Sequence, residues 1–218
     1  MLLIIKNKLM KFYLISPPKI NKNFNHEIFD KVTDIISVNF FQFRPKYKSL
    51  SERSNFVSNH YKEISKICKK KKIKMIINND FEIAKKFVFD GIHLGQTDRK
   101  CKDAKINFGS EFIVGVSCAN SYNSYIEAKN QKADYVAFGP VFKSFSKKKK
   151  TINFNQAVFV LNKLRLPFTL IGGINHTNFM ELFKYRPLNL AMISSVWNYE
   201  KGPVESALFF KKILNDEN

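Results

Sequence analysis

The chain has 218 residues, 44% of them apolar and 14% aromatic, enough to bury one full core and too rich in burial for a disordered chain. With only 8 Gly and 7 Pro, a collagen-like or low-complexity fibre is excluded. Charge is the loudest feature: 37 Lys+Arg against 18 Asp+Glu give a net +19, a balance that invites a polyanionic partner.

The excess is Lys spread along the whole chain, amid abundant Asn, Ile, Phe and Tyr. Compositional drift in an AT-biased genome explains such a mixture without any nucleic-acid partner, and none is expected. Cys68, Cys101 and Cys118 are odd in number and lack CxxC spacing. They fit a reducing compartment and argue against a disulfide framework or a zinc site. The opening Met-Leu-Leu-Ile-Ile is interrupted by Lys6 and Lys8, too early for a signal-peptide core or a membrane span. A cytoplasmic, soluble protein without membrane contact is expected, and a homo-oligomer is compatible with it.

In chain order, a strand is predicted at Phe12–Ile15, a helix at His26–Ser37 and a strand at Phe40–Phe43. A helix at Glu52–Lys71 and a strand at Met75–Ile77 follow. Next come a helix at Phe81–Phe89 and strands at Ile92–Leu94 and Phe112–Val116. The second half reads as helix Tyr122–Gln131, strand Tyr135–Phe138, helix Phe154–Leu164, strand Phe168–Ile171, helix Asn178–Lys184, strand Leu190–Ile193 and helix Val204–Leu214. The strand runs are continuously apolar rather than alternating, as in a parallel sheet covered on both faces. Eight strands alternating with helices predict one α/β domain over residues 1–218, a single (β/α)8 TIM barrel. A doubly wound open sheet is disfavoured, because Ser16-Pro17-Pro18-Lys19 stands where that fold needs a glycine-rich turn.

Nearly every strand runs out into polar or glycine residues: Arg44 and Lys46, Asn78 and Asn79, Gln96 and Asp98, Ser117, Gly139, Gly172 and Gly173, Ser194 and Ser195. Turn chemistry alone accounts for any one of these. Delivered by seven consecutive strands to one barrel mouth, they read as an active site.

Several segments, in order, carry a family resemblance. They are Gln42-Phe43-Arg44-Pro45-Lys46, Gly91-Ile92-His93-Leu94-Gly95-Gln96-Thr97-Asp98, Val114-Gly115-Val116-Ser117, Ala133-Asp134-Tyr135 through Gly139-Pro140-Val141-Phe142, Ile171-Gly172-Gly173-Ile174 and Ala191-Met192-Ile193-Ser194. From Phe12 to about Trp197 the chain resembles the thiamine-phosphate synthase family and its TenI-type thiazole tautomerase relatives, the synthases more closely. The resemblance implies a Mg²⁺-dependent transferase that joins a pyrimidine diphosphate to a thiazole phosphate and releases pyrophosphate.

The residue types suit that chemistry. Departing pyrophosphate develops negative charge, so fixed cations and donors must face its oxygens. Arg44 offers a bidentate fork and Lys46 a compact charge, and both share one face if the strand continues past Pro45. By the resemblance, Arg44, Lys46, Asn78, Ser117 and Lys147 grip the pyrophosphate, and Gln42 meets the pyrimidine edge. Lys147 lies in the run Lys147–Lys150, any member of which can substitute for it. Ser144, Ser146, Gly172, Gly173, Ile193 and Ser194 are expected to hold the thiazole phosphate, with amides at the ends of strands seven and eight forming the cradle. His93, between Ile92 and Leu94, reads as a satisfied structural histidine rather than a proton shuttle.

Two departures from the family pattern matter. The family has Asn-Asp after the third strand, where this chain has Asn78-Asn79, with Asp80 one residue late. Asp98 is the leading Mg²⁺ ligand. Its companion is Asn79 through its carbonyl, or Asp80 swung inward, unless Asp80 merely caps the following helix. Secondly, Ser117-Cys118-Ala119 stands where tautomerases have an acid/base His. Alternatives are therefore a TenI-like tautomerase, a drifted non-synthase phosphate binder, and more remotely a basic barrel that binds polyanions without catalysis.

Overall fold

A computed structural model of the chain describes residues 11–143 and 164–216. Eight parallel strands close into a barrel in sequence order: β1 Lys11–Ile15, β2 Val38–Phe43, β3 Lys74–Asn78, β4 Gly91–Leu94, β5 Ile113–Ala119, β6 Tyr135–Phe138, β7 Phe168–Ile171 and β8 Asn189–Met192. β8 pairs with β1 through Leu190↔Phe12 and Ala191↔Tyr13, which shuts the ring. The expected barrel is the observed one.

Helices α1 His26–Ile35, α2 Leu50–Lys71, α3 Phe81–Lys86, α4 Cys101–Phe108 and α5 Tyr122–Asn130 follow strands one to five. The one-turn α6 Ser194–Trp197 and the closing α7 Pro203–Asp216 come after β8. Local chemistry explains the starts. Asn25 accepts from the Ile28 amide at 2.8 Å, and Ser49 and Glu52 form a capping box that opens α2. The end of α2 carries Lys69, Lys70 and Lys71, cations suited to the carbonyl end of a helix dipole.

Three elements differ from the sequence reading, one of them the one-turn α6, which went unpredicted. Residues 178–184 form a 3₁₀ segment, Phe179–Tyr185, instead of an α-helix. Arg186 turns left-handed at φ 51° and Pro187 follows, leaving fewer than two α-turns to repay nucleation. Conversely, α4 has no clear apolar period and went unpredicted. It is anchored by the buried Cys101 and Ala104 and by the Asp103 carboxylate, which accepts from the Lys100 amide at 3.1 Å. Helix Phe154–Leu164 lies outside the described residues save Leu164.

Strand alternation divides the core in two. Phe12, Leu14, Phe41, Phe43, Ile77 and Ile92 face outward into the layer under the helices. Tyr13, Ile15, Phe40, Ile76, Tyr135 and Ala191 fill the barrel itself. At about 25 cal/mol per Å² of apolar burial, the outer layer dominates stability. The inner layer decides what stands below the mouth. Trp197, fully buried, donates its indole N–H to the Ile15 carbonyl at 2.7 Å and ties α6 to the exit of β1.

Candidate active site

The β1 and β2 exits are laced together. Arg44 N–H donates to Ser16 Oγ at 2.9 Å, and Lys46 N–H donates to the Pro18 carbonyl at 2.7 Å. β2 stops at Phe43, so the expected strand alternation past Pro45 does not operate, and these two backbone bonds position the cations instead. Arg44 is half-buried and Lys46 exposed. Burial lowers the pKa of both; for Lys46 the adjacent Arg44 adds to the lowering, Asp98 opposes it and Arg53 contributes a little more. Among the described residues neither cation has a carboxylate within ion-pair distance. Two like charges side by side, Arg44 half-buried and Lys46 only partly desolvated, form a place that an anion stabilises.

Across the mouth, Asp98 divides its oxygens. Oδ2 accepts from the Gly95 amide at 2.6 Å and closes the Gly95–Asp98 turn, while Oδ1 accepts from Asn79 Nδ2 at 3.0 Å. Asn78 Nδ2 donates in turn to Asn79 Oδ1 at 2.7 Å. Asn79 sits at φ 46°, a left-handed conformation Asn tolerates better than most side chains, and this turns it toward Asp98. Asp80 is otherwise engaged: it caps α3 at the Ile83 amide, 3.2 Å, and pairs with Arg53 Nε at 2.7 Å with a side chain only 9% exposed. Of the alternatives the sequence left open, Asn79 beside Asp98 and Asp80 as a cap is the observed arrangement.

The residue types fit Mg²⁺, since Asp98 and Asn79 both carry hard oxygens, but Asn79 turns its Nδ2 rather than its Oδ1 toward Asp98, so its amide would have to turn over to share a cation. The described residues hold no group of three or more His, Cys, Asp or Glu able to enclose a metal. Most of the coordination would therefore come from water and substrate phosphate, the habit of Mg²⁺. A cavity of about 390 Å³ opens beside this point, lined among others by Lys46, Arg53, Asn79 and Arg99.

Below the rim runs an unbroken hydrogen-bonded chain. Gln42 Nε2 donates to Tyr13 Oη at 3.0 Å, Tyr13 Oη meets Tyr135 Oη at 3.0 Å, Tyr135 Oη meets His93 Nδ1 at 3.0 Å, and His93 Nε2 meets Ser117 Oγ at 2.9 Å. His93 is thus satisfied on both nitrogens, and burial, aided by Arg44, lowers its pKa to about 4. Gly115 makes the room: a Cβ there would lie 2.0 Å from Tyr135 Cζ. Beyond Ser117 the β5–β6 register slips at Cys118, leaving Ala119 at φ 50°. Such bulges re-aim side chains next to active sites. Burial raises the Cys118 thiol to about 12, so it is no activated nucleophile.

At the far side, Gly172 and Gly173 have φ 101° and 69°, and Cβ atoms on them would lie 2.5 Å from Pro140 Cα and 2.6 Å from the Lys143 carbonyl. Both the left-handed backbone and the close approach of the β6 exit require glycine. Ile193 lies half-buried and Ser194 exposed just past β8. Ser144, Ser146 and Lys147 lie outside the described residues. Sequence reasoning left out Tyr13 and Tyr135; their inward register on β1 and β6 was the available signal.

A closed eight-stranded barrel with cations that no described carboxylate pairs, a carboxylate and amides at its C-terminal mouth defines a (β/α)8 enzyme built to handle phosphate groups. Comparison with known proteins makes the class specific. Residues 12–196 match the family model described as thiamine monophosphate synthase. A thiamine-phosphate synthase of Pelagibacter ubique is 36% identical over 92% of this chain and 97% of its own length. One from Dictyoglomus thermophilum is 31% identical over 77% of this chain and 74% of its own. The fold matches thiamine phosphate pyrophosphorylase from Pyrococcus furiosus with a TM-score of 0.78 at 22% identity, over 95% of this chain and 96% of that one. The chain belongs to the thiamine monophosphate synthase family, and with it to the transferases of thiamine biosynthesis.

Proposed function

We propose that the chain couples 4-amino-2-methyl-5-hydroxymethylpyrimidine diphosphate to thiazole phosphate, releasing pyrophosphate, as a Mg²⁺-dependent cytoplasmic enzyme. The observation that carries this reading is the rim: Arg44 and Lys46, partly desolvated and without a carboxylate partner among the described residues, beside the Asn79–Asp98 pair.

Arg44, Lys46 and the Asn78 amide grip the diphosphate, with Ser117 Oγ reaching it from β5, and they stabilise the charge that grows as the carbon–oxygen bond breaks. The pyrimidine-methyl cation left behind is captured by the thiazole nitrogen. The lone pair of that nitrogen forms the new carbon–nitrogen bond, and pyrophosphate leaves with the electrons of the old one. No proton moves in the bond-forming step, so no general base is called for, which agrees with a His93 held neutral. Gln42 reads the pyrimidine edge. Gly172, Gly173, Ile193 and Ser194, with Ser144 and Ser146, hold the thiazole phosphate. Lys147 supplies a further cation. When bound, Mg²⁺ held by Asp98 and Asn79 would neutralise diphosphate charge.

The test is synthesis from both substrates with Mg²⁺, followed by chromatography of the coupled product. Product from the native chain, and a loss of about 100-fold or more in Arg44→Met, are expected. A folded chain that makes none overturns the reading. An alternative tautomerase role loses its acid/base group at Ala119, whose methyl moves no proton.

A further inference from the structure

The interior chain has two ends: Gln42 on β2, 2% exposed, and Ser117 on β5, half-buried. On the proposed function the first reads the pyrimidine edge from below and the second meets the diphosphate. Three residues with no assigned role, Tyr13, Tyr135 and His93, connect them. Proton counting shows how one end constrains the other.

Gln42 Nε2 donates to Tyr13 Oη, so Tyr13 accepts there and has one proton of its own to place. Tyr13 is 2% exposed, and among the described residues its only remaining partner is Tyr135 Oη at 3.0 Å. A buried O–H left unspent is unfavourable, so Tyr13 donates to Tyr135. Tyr135, 1% exposed, must then donate to His93 Nδ1, 3.0 Å away. A neutral imidazole that accepts at Nδ1 carries its hydrogen on Nε2, and Nε2 faces Ser117 Oγ at 2.9 Å. Ser117 accepts, and no described residue accepts the proton that its hydroxyl still holds. The whole chain has one direction.

We propose that Tyr13, Tyr135 and His93 are positioning residues forming a one-way hydrogen-bond relay, which locks the Gln42 carboxamide in one orientation and makes the Ser117 hydroxyl a donor toward the diphosphate. Locked this way, Gln42 shows the ligand an acceptor, Oε1, beside the second hydrogen of Nε2. That pair complements a 4-aminopyrimidine, which shows a donating amino group beside an accepting ring nitrogen. A 4-oxopyrimidine shows the reverse pattern. To bind it, Gln42 must turn over, Tyr13 must donate to Oε1, and every later bond must reverse until Ser117 donates to His93. The relay therefore makes rejection of the deaminated substrate depend on Ser117, at the opposite end of the site.

This inference rests on the synthase reading, and the test separates the two. Both 4-amino and 4-oxo pyrimidine diphosphates are offered to the native chain, Tyr135→Phe, Tyr13→Phe, Ser117→Ala and Ser117→Thr, and kcat/KM is measured for each. Tyr135→Phe keeps the ring and frees the Tyr13 proton for Gln42. Its amino-to-oxo preference is expected to fall about tenfold or more, and that of Tyr13→Phe likewise. Ser117→Ala, which leaves His93 Nε2 without its acceptor, is expected to lose preference too, and Ser117→Thr to restore it. A role confined to packing lowers both substrates together and leaves the ratio alone.

A native chain that is active, with ratios unmoved in the folded variants, overturns the relay and leaves the synthase reading standing. A native chain that makes no product overturns the synthase reading and the substrate assignment with it. The direction of the relay has its own readout, independent of turnover. Nitrogen-15 correlation spectra of the ligand-free native chain, with the His93 ring assigned by difference against His93→Gln, are expected to show hydrogen on Nε2. Hydrogen on Nδ1 overturns the relay even where a variant fails to fold.

Discussion

Asn79→Asp is the substitution that weighs most on the proposed metal point. Asn79 Nδ2 donates to Asp98 Oδ1 across 3.0 Å, and Asp at 79 replaces that bond with two carboxylates facing each other. In water, like unit charges at that distance repel by about 1.4 kcal/mol, from 332/(80 × 3.0). The bond to a charged acceptor that is lost adds about 1 kcal/mol at this exposed position. Without metal the variant is therefore expected to be less stable by roughly 2–3 kcal/mol. For a chain of this size that lowers Tm by about 5–10 °C. Mg²⁺ reverses the sign, because two carboxylates hold it better than one carboxylate and an amide. At a hundred times its Kd, bound metal returns about 2.7 kcal/mol, close to the whole loss. The assay is thermal melting of both chains in EDTA and along a Mg²⁺ titration, with the variant falling below the native chain in EDTA and converging on it as Mg²⁺ rises. If the two melt together in EDTA, residue 79 does not face Asp98. If the variant's loss persists at high Mg²⁺, these two residues do not form the metal point.

Other perturbations read other parts of the site. Asp80→Ala removes the cap of α3 and the Arg53 partner, and an instability of about 1–3 kcal/mol is expected in urea unfolding, equal with and without Mg²⁺; a loss that Mg²⁺ alone modulates would return Asp80 to the metal. Gly115→Ala drives a methyl into Tyr135, and overpacking is expected to cost about 1–3 kcal/mol in the same assay. His93, lowered to about 4 by burial, binds its proton more weakly folded than unfolded. Its contribution is therefore present above about pH 6.5 and lost as pH falls toward 4, so Tm is expected to drop over that window, and less steeply in His93→Gln. Burial raises the thiols of Cys68 and Cys118 to about 12 and that of Cys101 to about 11, so iodoacetamide at pH 8 is expected to leave all three unmodified until the chain is unfolded, as mass spectrometry reads directly.

The barrel was legible because its strands are short apolar runs closed by polar residues. Tyr135–Phe138 and Phe168–Ile171 match their predicted limits, and the other six strands shift by one to three residues at their ends. The rim was legible for the same reason: Arg44, Asn78, Asn79, Asp98 and Ser117 sit at or just past strand ends, where sequence position maps onto place in the fold. The choice between Asn79 and Asp80 was not legible. It turns on a left-handed backbone at residue 79 and on Arg53, a partner from another helix that claims Asp80. Nor was the relay, whose five members come from five different strands and of which the closest two in the chain, Ser117 and Tyr135, are 18 residues apart.

That pattern also reframes the net charge of +19. Many of the lysines and arginines with assigned partners are satisfied on the outside: Lys66, Lys71, Lys74, Lys85, Lys100 and Lys105 each meet a carboxylate, most of them exposed pairs of small energetic weight. Arg44 and Lys46 differ in kind, being partly desolvated, adjacent and without a carboxylate among the described residues. A long polyanion gains by meeting many solvated charges on one face, whereas a small diphosphate gains most from a few that water serves poorly. Two adjacent cations at the barrel mouth, Arg44 half-buried and Lys46 exposed yet partly desolvated, suit a small anion better than does the charge summed over the surface.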